Sequence, residues 1–253
     1  GITLVTSSAT ADQLSAIGDR VFMMLPPNSQ QGADQATFVV EALKAKSASI
    51  LYRQNPYGET LRKSFREKFG AAGGRVIEEV GFPDGEENYR DRLREIMKET
   101  PDIIFIPCHD TDTGRILRQA KEVNAPETVR FIGCDGSMSQ EMLDLASTAS
   151  EGAIFSNVAS ISEDFDAAYD EAYGGTPSPY AASAFDTLNI AAKLIRKGAR
   201  SSDDFQKGLI ELEPTEGATG PTAFTKVDAS FWALSKSYRQ FEVKSGDFVL
   251  LRR

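Results

Sequence analysis

The chain has 253 residues, 41% hydrophobic and 26% charged, with a formal net charge of −9 at pH 7 and a sequence pI of about 4.8. This is an ordinary globular composition, with length for one large domain or two small ones. The acidic balance argues against nucleic acid and anionic membranes, no apolar run nears the ~20 residues that span a bilayer, and two cysteines are too few to signal a disulfide scaffold.

The chain opens on a strand-like run, residues 2–6, with no secretory leader ahead of it, so a processed or truncated product is expected. Ser7-Ser8-Ala9-Thr10 follow, then a helical stretch over 11–17. Residues 47–52 form the next apolar run. Leu61, Phe65 and Phe69 then fall at four-residue spacing within 58–72, an amphipathic helix closed by Gly73-Gly74. A strand is predicted over 75–80, and a helix over 89–98 with Leu93, Ile96 and Met97 on one face. Residues 102–107 are almost continuously apolar, as in a buried parallel sheet. A helix over 113–124 turns Ile116, Leu117, Ala120 and Val123 inward, and strands 129–133 and 152–157 flank a helical 139–146. The alternation predicts an α/β fold, a parallel sheet covered on both faces through right-handed crossovers, with strands 102–107 and 129–133 adjacent. Next come helices over 164–173 and 180–197, joined by Gly174-Gly175-Thr176-Pro177-Ser178-Pro179, and a third over 205–212. The tail, 223–251, reads as extended, with 238–243 and 248–251 flanking a hairpin turn at Lys244-Ser245-Gly246-Asp247.

Four strand-like runs end in small or polar clusters, each followed by a helical pattern: Ser7-Ser8-Ala9-Thr10, Arg53-Gln54-Asn55-Pro56-Tyr57-Gly58, Cys108-His109-Asp110 and Cys134-Asp135-Gly136. Ligands of open α/β sheets bind at such strand ends. Asp135, an acid beside a glycine with apolar residues behind it, is either a ligand-binding carboxylate or a helix N-cap. Ser8, Ala9 and Thr10 open a helix, where free N–H groups favour an anion or a Ser/Thr cap is formed. Tyr57 and Tyr180 each pair a ring with a hydroxyl, suited to a mixed pocket wall. The alternatives are a surface aromatic in a turn for Tyr57 and packing in a first helical turn for Tyr180. His109 is the only histidine. Cys108, His109, Cys134 and Asp135 have the donor types that zinc takes, yet neither cysteine belongs to a C-x-x-C unit. A thiol–imidazole nucleophile has no sequence signature here. Ala71-Ala72-Gly73-Gly74 lacks the lysine of a phosphate loop, and Gly136-Ser137-Met138-Ser139 lacks nucleophile-elbow spacing. The expectation is no metal, no cofactor and no catalysis.

Thr6-Ser7-Ser8-Ala9-Thr10 before Leu14, then Gln30-Gln31-Gly32, Tyr57-Gly58, Gly114-Arg115-Ile116-Leu117-Arg118-Gln119-Ala120, Glu151-Gly152 and Pro177-Ser178-Pro179-Tyr180-Ala181-Ala182 follow one another in an order and spacing that resembles the branched-chain amino-acid (leucine/isoleucine/valine) binding proteins. These are type I periplasmic solute-binding proteins of ABC importers. The resemblance implies a two-lobed fold whose lobes are each a parallel sheet flanked by helices. It also implies that roughly the first hundred residues, a stretch of domain size, are missing from an incomplete first lobe. Lobe one would comprise 1–28 and 158–235, and lobe two 29–157 and 236–253.

The implied function is capture of an amino acid or related small carboxylate in the cleft between the lobes. A membrane permease and ATPase would be the partners, in the periplasm or outside the cell, with no nucleic acid and no direct membrane insertion. Asp135 occupies the position of the family's ammonium-binding acid. The Ser8 position supplies a carbonyl, and the Thr10 position an amide and hydroxyl. His109 falls where the family often has an aromatic against the ligand. A ligand-sensing receptor of the same fold and a Cys/His-dependent enzyme are the other readings kept open.

Overall fold

The computed structural model describes all residues except 159–160, 228–230, 235 and 252–253. Two compact units emerge, Gly1–Pro27 with Val158–Ser237, and Asn28–Asn157 with Tyr238–Arg253. The expected lobe boundary at residue 235 lies outside the described residues.

The second unit is built on a seven-stranded sheet, in the order Asp247–Leu250, Tyr238–Lys244, Ile154–Val158, Arg130–Gly133, Ile103–Ile106, Ser47–Arg53, Arg75–Phe82. Its middle is parallel, and Ile103–Ile106 lies beside Arg130–Gly133 with Ile106 registered against Gly133, as the alternation predicts. The tail adds an antiparallel hairpin at one end, closed between Lys244 and Asp247. Strand side chains alternate between faces, and each face meets its own helices. Ile104 and Ile106 pack with Leu93, Ile116, Leu117 and Met142 of helices Arg90–Ile96, Asp110–Glu122 and Gln140–Ala146. Ile103, Phe105 and Ile132 pack with Ala36, Val39, Leu61, Phe65 and Phe69 of helices Asn28–Glu41 and Pro56–Ala71. Both faces of the central strands are thereby covered by apolar layers, so amide exchange in Ile103–Ile106 and Arg130–Gly133 is expected to be slow. The strand Leu4–Thr6 of the other unit stands at a sheet edge and should exchange fast. Equal protection of the two regions by hydrogen-exchange mass spectrometry would contradict this.

The first unit has a four-stranded sheet in the order Leu4–Thr6, Val21–Met23, Trp232–Leu234, Phe224–Lys226. The first three strands are parallel and the last is antiparallel. Phe22, Met24, Leu234 and Phe224 pack with Ile190 and Leu194 of helix Pro179–Arg196 and with Leu209 of helix Ser202–Ile210. The latter helix begins three residues before the expected start. Ser201 and Asp204 form a capping box there, a polar signal that apolar spacing does not carry. The helical stretch expected over 11–17 is a 3₁₀ helix, Asp12–Ile17; six residues are too few to repay an α-helical nucleus. Ile2, Leu4, Ile17, Tyr173, Phe185, Leu188, Ile195, Ile210 and Val227 are exposed in this unit, against only Val249 and Leu250 among the described residues of the other.

Helix Pro179–Arg196 is tied to the loop at 217–219 by a buried polar node. Asp186 accepts from Ala218 N at 2.6 Å, Thr219 N at 2.9 Å and Thr219 Oγ1 at 2.6 Å. The buried Lys236 donates through Nζ to Thr219 O at 2.9 Å and to its hydroxyl. Burial pulls the Lys236 ammonium down from 10.5 to about 8, against the pull of Asp186 and Glu216. Between about pH 8 and 10.5 the unfolded chain therefore holds more protons at this group, and stability from it rises with pH across that window. Urea unfolding at pH 7.5 and pH 10 should show wild type gaining relative to Lys236→Met. A pH-independent difference between the two proteins would contradict the assignment.

Candidate functional site

The second unit brings Tyr57, His109 and Asp135 together at the carboxyl ends of its strands. Asn55 caps helix Pro56–Ala71 by accepting from Gly58 N at 2.9 Å, with Pro56 in the first turn. The cap fixes Tyr57 in that first turn, so it is part of a helix and only half exposed, not an aromatic in a surface turn. Tyr57 donates its hydroxyl to Asp135 Oδ1 at 2.6 Å and accepts from Gly136 N at 3.1 Å. Its ring lies 4.8 Å from the His109 ring at a tilt of 35°. A Cβ at Gly136 would come within 2.9 Å of the Tyr57 hydroxyl and 3.3 Å of His109 Cδ2, so the glycine is what lets both rings approach the acid.

Asp135 is 3% exposed. It is the first residue of a short 3₁₀ helix, Asp135–Ser137, and the capping position is taken by Cys134, which makes no side-chain cap bond. Its carboxylate therefore points at Tyr57 and not along a helix start, which removes the N-cap alternative. Burial pushes the Asp135 carboxyl up from the ordinary range. The Tyr57 hydroxyl, the Gln31 side chain and the Gly136 N–H pull it back, with a smaller pull from His109. The Arg53 guanidinium pairs with Asp84 at 2.6 Å and Asp112 at 3.2 Å.

Beneath these groups a buried relay locks the two strand-end loops. Cys108 Sγ meets Thr113 Oγ1 at 3.1 Å, Thr113 Oγ1 meets Ser137 Oγ at 2.8 Å, and Ser137 Oγ donates to Cys108 O at 2.8 Å. Ser139 Oγ adds a bond to Asp110 at 3.1 Å. His109 heads helix Asp110–Glu122 without capping it, and its Nδ1 is buried without a partner. Both cysteines are free and buried, and burial pushes both thiols up. That is the reverse of the lowered pKa a thiolate nucleophile needs. Among the described residues no three of His, Cys, Asp and Glu come together as a metal-holding group.

Ser8, Ala9 and Thr10 lie in the first unit, before the 3₁₀ helix Asp12–Ile17. Ser8 and Ala9 are exposed, and Thr10 is 4% exposed. The Ala9 N–H is already donated to Thr6 Oγ1 at 2.8 Å, so Thr6 is the residue that caps this turn. Tyr180 is half-buried in the first turn of helix Pro179–Arg196, which Ser178 caps by accepting from Ala181 N at 3.2 Å. Within that helix Ser183 Oγ donates to Ser7 O at 2.6 Å and fixes the loop's backbone. Gln31, Thr113, Ser137, Thr6 and Ser183 were not singled out by sequence reasoning. Of these, Gln31, Thr6 and Ser137 lie within motifs the sequence brings forward, Ser137 only in the rejected nucleophile-elbow string.

Residues 1–247 match the family described as periplasmic binding protein. The chain is 29% identical over 153 residues to the Leu/Ile/Val-binding protein of Citrobacter freundii, a match that covers 60% of this chain and 41% of that protein. The chain thus spans well under two thirds of that relative's length. A leucine binding protein from Thermotoga maritima superposes with a TM-score of 0.89 at 23% identity, over 98% of this chain and 71% of that one. The branched-chain amino acid transporter substrate binding protein LivJ of Streptococcus pneumoniae, solved in complex with isoleucine, superposes with a TM-score of 0.86 at 25% identity, over 98% and 72% of the two chains.

Proposed function

The chain belongs to the periplasmic binding protein family, and from that premise we propose that it is the substrate-binding component of an ABC importer that captures an amino acid by its zwitterionic end. The family consists of solute-binding proteins and not enzymes; for this chain we propose binding without turnover, in the periplasm, with delivery to a membrane permease and its ATPase. The fold is that of type I periplasmic binding proteins. Among the described residues no helix is long and apolar enough to cross a membrane.

The observation that carries the proposal is the Asp135 carboxyl, buried against the Tyr57 hydroxyl and in no ion pair among the described residues. A buried carboxylate is costly unless a cation joins it, and an α-ammonium is a cation of the right size. Tyr57 and His109 form the aromatic wall beside it. For the first unit taken by itself, we assign carboxylate binding to the Ser8–Ala9–Thr10 string, through the Thr10 N–H and hydroxyl with the Ser8 carbonyl as a further polar group. Tyr180 is assigned to the wall.

Calorimetry with L-leucine, L-isoleucine and L-valine, each against the same carbon skeleton lacking the amino group, tests this. The amino acids should bind and the desamino acids should bind at least tenfold more weakly, the order of a lost charge-assisted hydrogen bond. Equal affinity for the two series would sink the ammonium reading.

A further inference from the structure

Four orphaned polar atoms gather on one face of helix Asn28–Glu41. Asn28, Gln31 and Gln35 are each fully buried, at a spacing of three and then four residues that sets side chains in one row. Both side-chain polar atoms of Asn28, Oε1 of Gln31 and Oε1 of Gln35 are buried with no protein partner. The other end of each glutamine is fixed. Gln31 Nε2 donates to Ser156 Oγ at 2.9 Å and to Ser156 O at 3.4 Å, and Gln35 Nε2 donates to Gly133 O at 2.9 Å. Turning either amide over would set its oxygen against a main-chain carbonyl, so the orphaned atoms are the oxygens and not the nitrogens. The row is therefore rich in acceptors, three amide oxygens against the single Asn28 nitrogen. The neighbouring hydroxyl does not answer them: Ser64 Oγ donates to main-chain oxygens, at 3.0 Å from Thr60 O, 3.2 Å from Leu61 O and 3.5 Å from Asn28 O.

We infer that this face of the helix is a binding site for a pair of internal waters. A single water has two O–H donors and cannot serve three acceptors. Two waters bring four. Three of these reach Asn28 Oδ1, Gln31 Oε1 and Gln35 Oε1, the fourth joins the waters to each other, and Asn28 Nδ2 donates to a water oxygen. The helical rise sets successive members of the row about 4.5 and 6 Å apart along the axis, spans of the order that one water bridges with two bonds of about 2.8 Å. Leaving four buried polar atoms unpaired is costlier than ordering two waters, and internal waters occur where such groups converge. The row holds no carboxylate, so a neutral donor suits it better than a divalent cation. The waters would lie against the neighbouring parallel strands that carry Ser156 and Gly133, registered Gly133 against Phe155. The inference stands apart from the role given to Asp135.

The test is water–protein Overhauser spectroscopy on the nitrogen-15-labelled, ligand-free protein, joined to oxygen-17 relaxation dispersion. Water should give cross-peaks of the sign that marks a long-lived contact at the side-chain amides of Asn28, Gln31 and Gln35. Ser156→Ala removes the hydroxyl that could relay such a signal to Gln31, and the Asn28 cross-peak should survive it. The oxygen-17 amplitude, to which hydroxyl protons contribute nothing, should fall by at least one water in Asn28→Leu. Absence of the cross-peaks in wild type overturns the inference. So does loss of the Asn28 cross-peak in Ser156→Ala, or an oxygen-17 amplitude unchanged in Asn28→Leu. Shifts of the three side-chain amides on exchanging sodium for potassium would put a monovalent cation in the site and overturn it as well. If Asn28→Leu fails to fold, the wild-type and Ser156→Ala cross-peaks decide.

Discussion

Asp135→Asn is expected to weaken amino-acid binding by at least ten- to a hundredfold while leaving the ligand-free protein as stable at pH 7 as wild type, or more so. The amide keeps an oxygen for the Tyr57 hydroxyl, which now donates to Oδ1 at 2.6 Å, so the local geometry has no reason to collapse. What disappears is the negative charge. Hydrogen bonds to charged groups contribute about 1.5–3 kcal/mol, and stripping one partner from a buried ion pair costs about 3–5 kcal/mol. The sign for stability is opposite. Burial raises the Asp135 carboxyl above its unfolded value, so its contribution is fully present below the unfolded pKa and is lost as pH rises through the folded one. At neutral pH the ligand-free protein therefore carries a charged-group penalty that asparagine lacks. Ligand binding reverses the balance, so wild-type affinity should fall as pH drops through the raised pKa, with proton release on binding just below it. Calorimetry in two buffers of different ionisation enthalpy and a thermal scan of both proteins measure all three effects. Unchanged affinity in the asparagine variant together with a large loss of melting temperature would reduce Asp135 to a structural residue.

The parallel centre of the second unit was legible because its strands are apolar on both faces. Ile103, Ile104, Phe105 and Ile106 are all buried, and such a run has few other interpretations. Helix Asn28–Glu41 left no comparable trace. Its buried positions are Asn28, Gln31, Gly32, Gln35, Ala36 and Val39, so four of these six are amide or glycine and no apolar period of 3.6 exists to be found. The strand ends announced where polar chemistry gathers, and Asp135 stood out as an acid in an apolar setting. Tyr57 stood out too, but not its bond to Asp135. Tyr57 lies 78 residues away in sequence from the Asp135 carboxylate, and Gln31 reaches Ser156 across 125 residues. Spacing within a chain carries no signal of that kind; only the sheet order brings the groups together. The Thr6 bond to Ala9 is local, yet it was obscured because serine and threonine serve equally as caps and as ligand contacts.

Gly32→Ala should destabilise the second unit, although helix propensity alone favours the change. Alanine exceeds glycine in a helix interior by about 1 kcal/mol, and Gly32 lies inside Asn28–Glu41. Against that gain stands the closeness of helix Pro56–Ala71. A Cβ on residue 32 would meet Ser64 Oγ at 2.0 Å, Leu61 O at 2.8 Å and Phe65 N at 3.0 Å. The first neighbour is a hydroxyl that can rotate away. The other two are main-chain atoms of a helix held in place by the Phe65 and Phe69 rings, stacked at 5.4 Å with Phe65 also 4.4 Å from Phe105. Overpacking of a rigid core costs about 1–3 kcal/mol and sometimes more, and contact with two fixed backbone atoms belongs at the upper end. The net expectation is a loss of about 2 kcal/mol, with the Asn28–Glu41 helix displaced and Gln31 carried away from Ser156. Adding Ser64→Ala removes only the hydroxyl contact and should recover less than half of the loss. Urea unfolding of wild type, the single variants and the double variant measures each step. A midpoint for Gly32→Ala equal to or above wild type, or full recovery in the double variant, would show that the backbones are not in the contact from which the loss is derived.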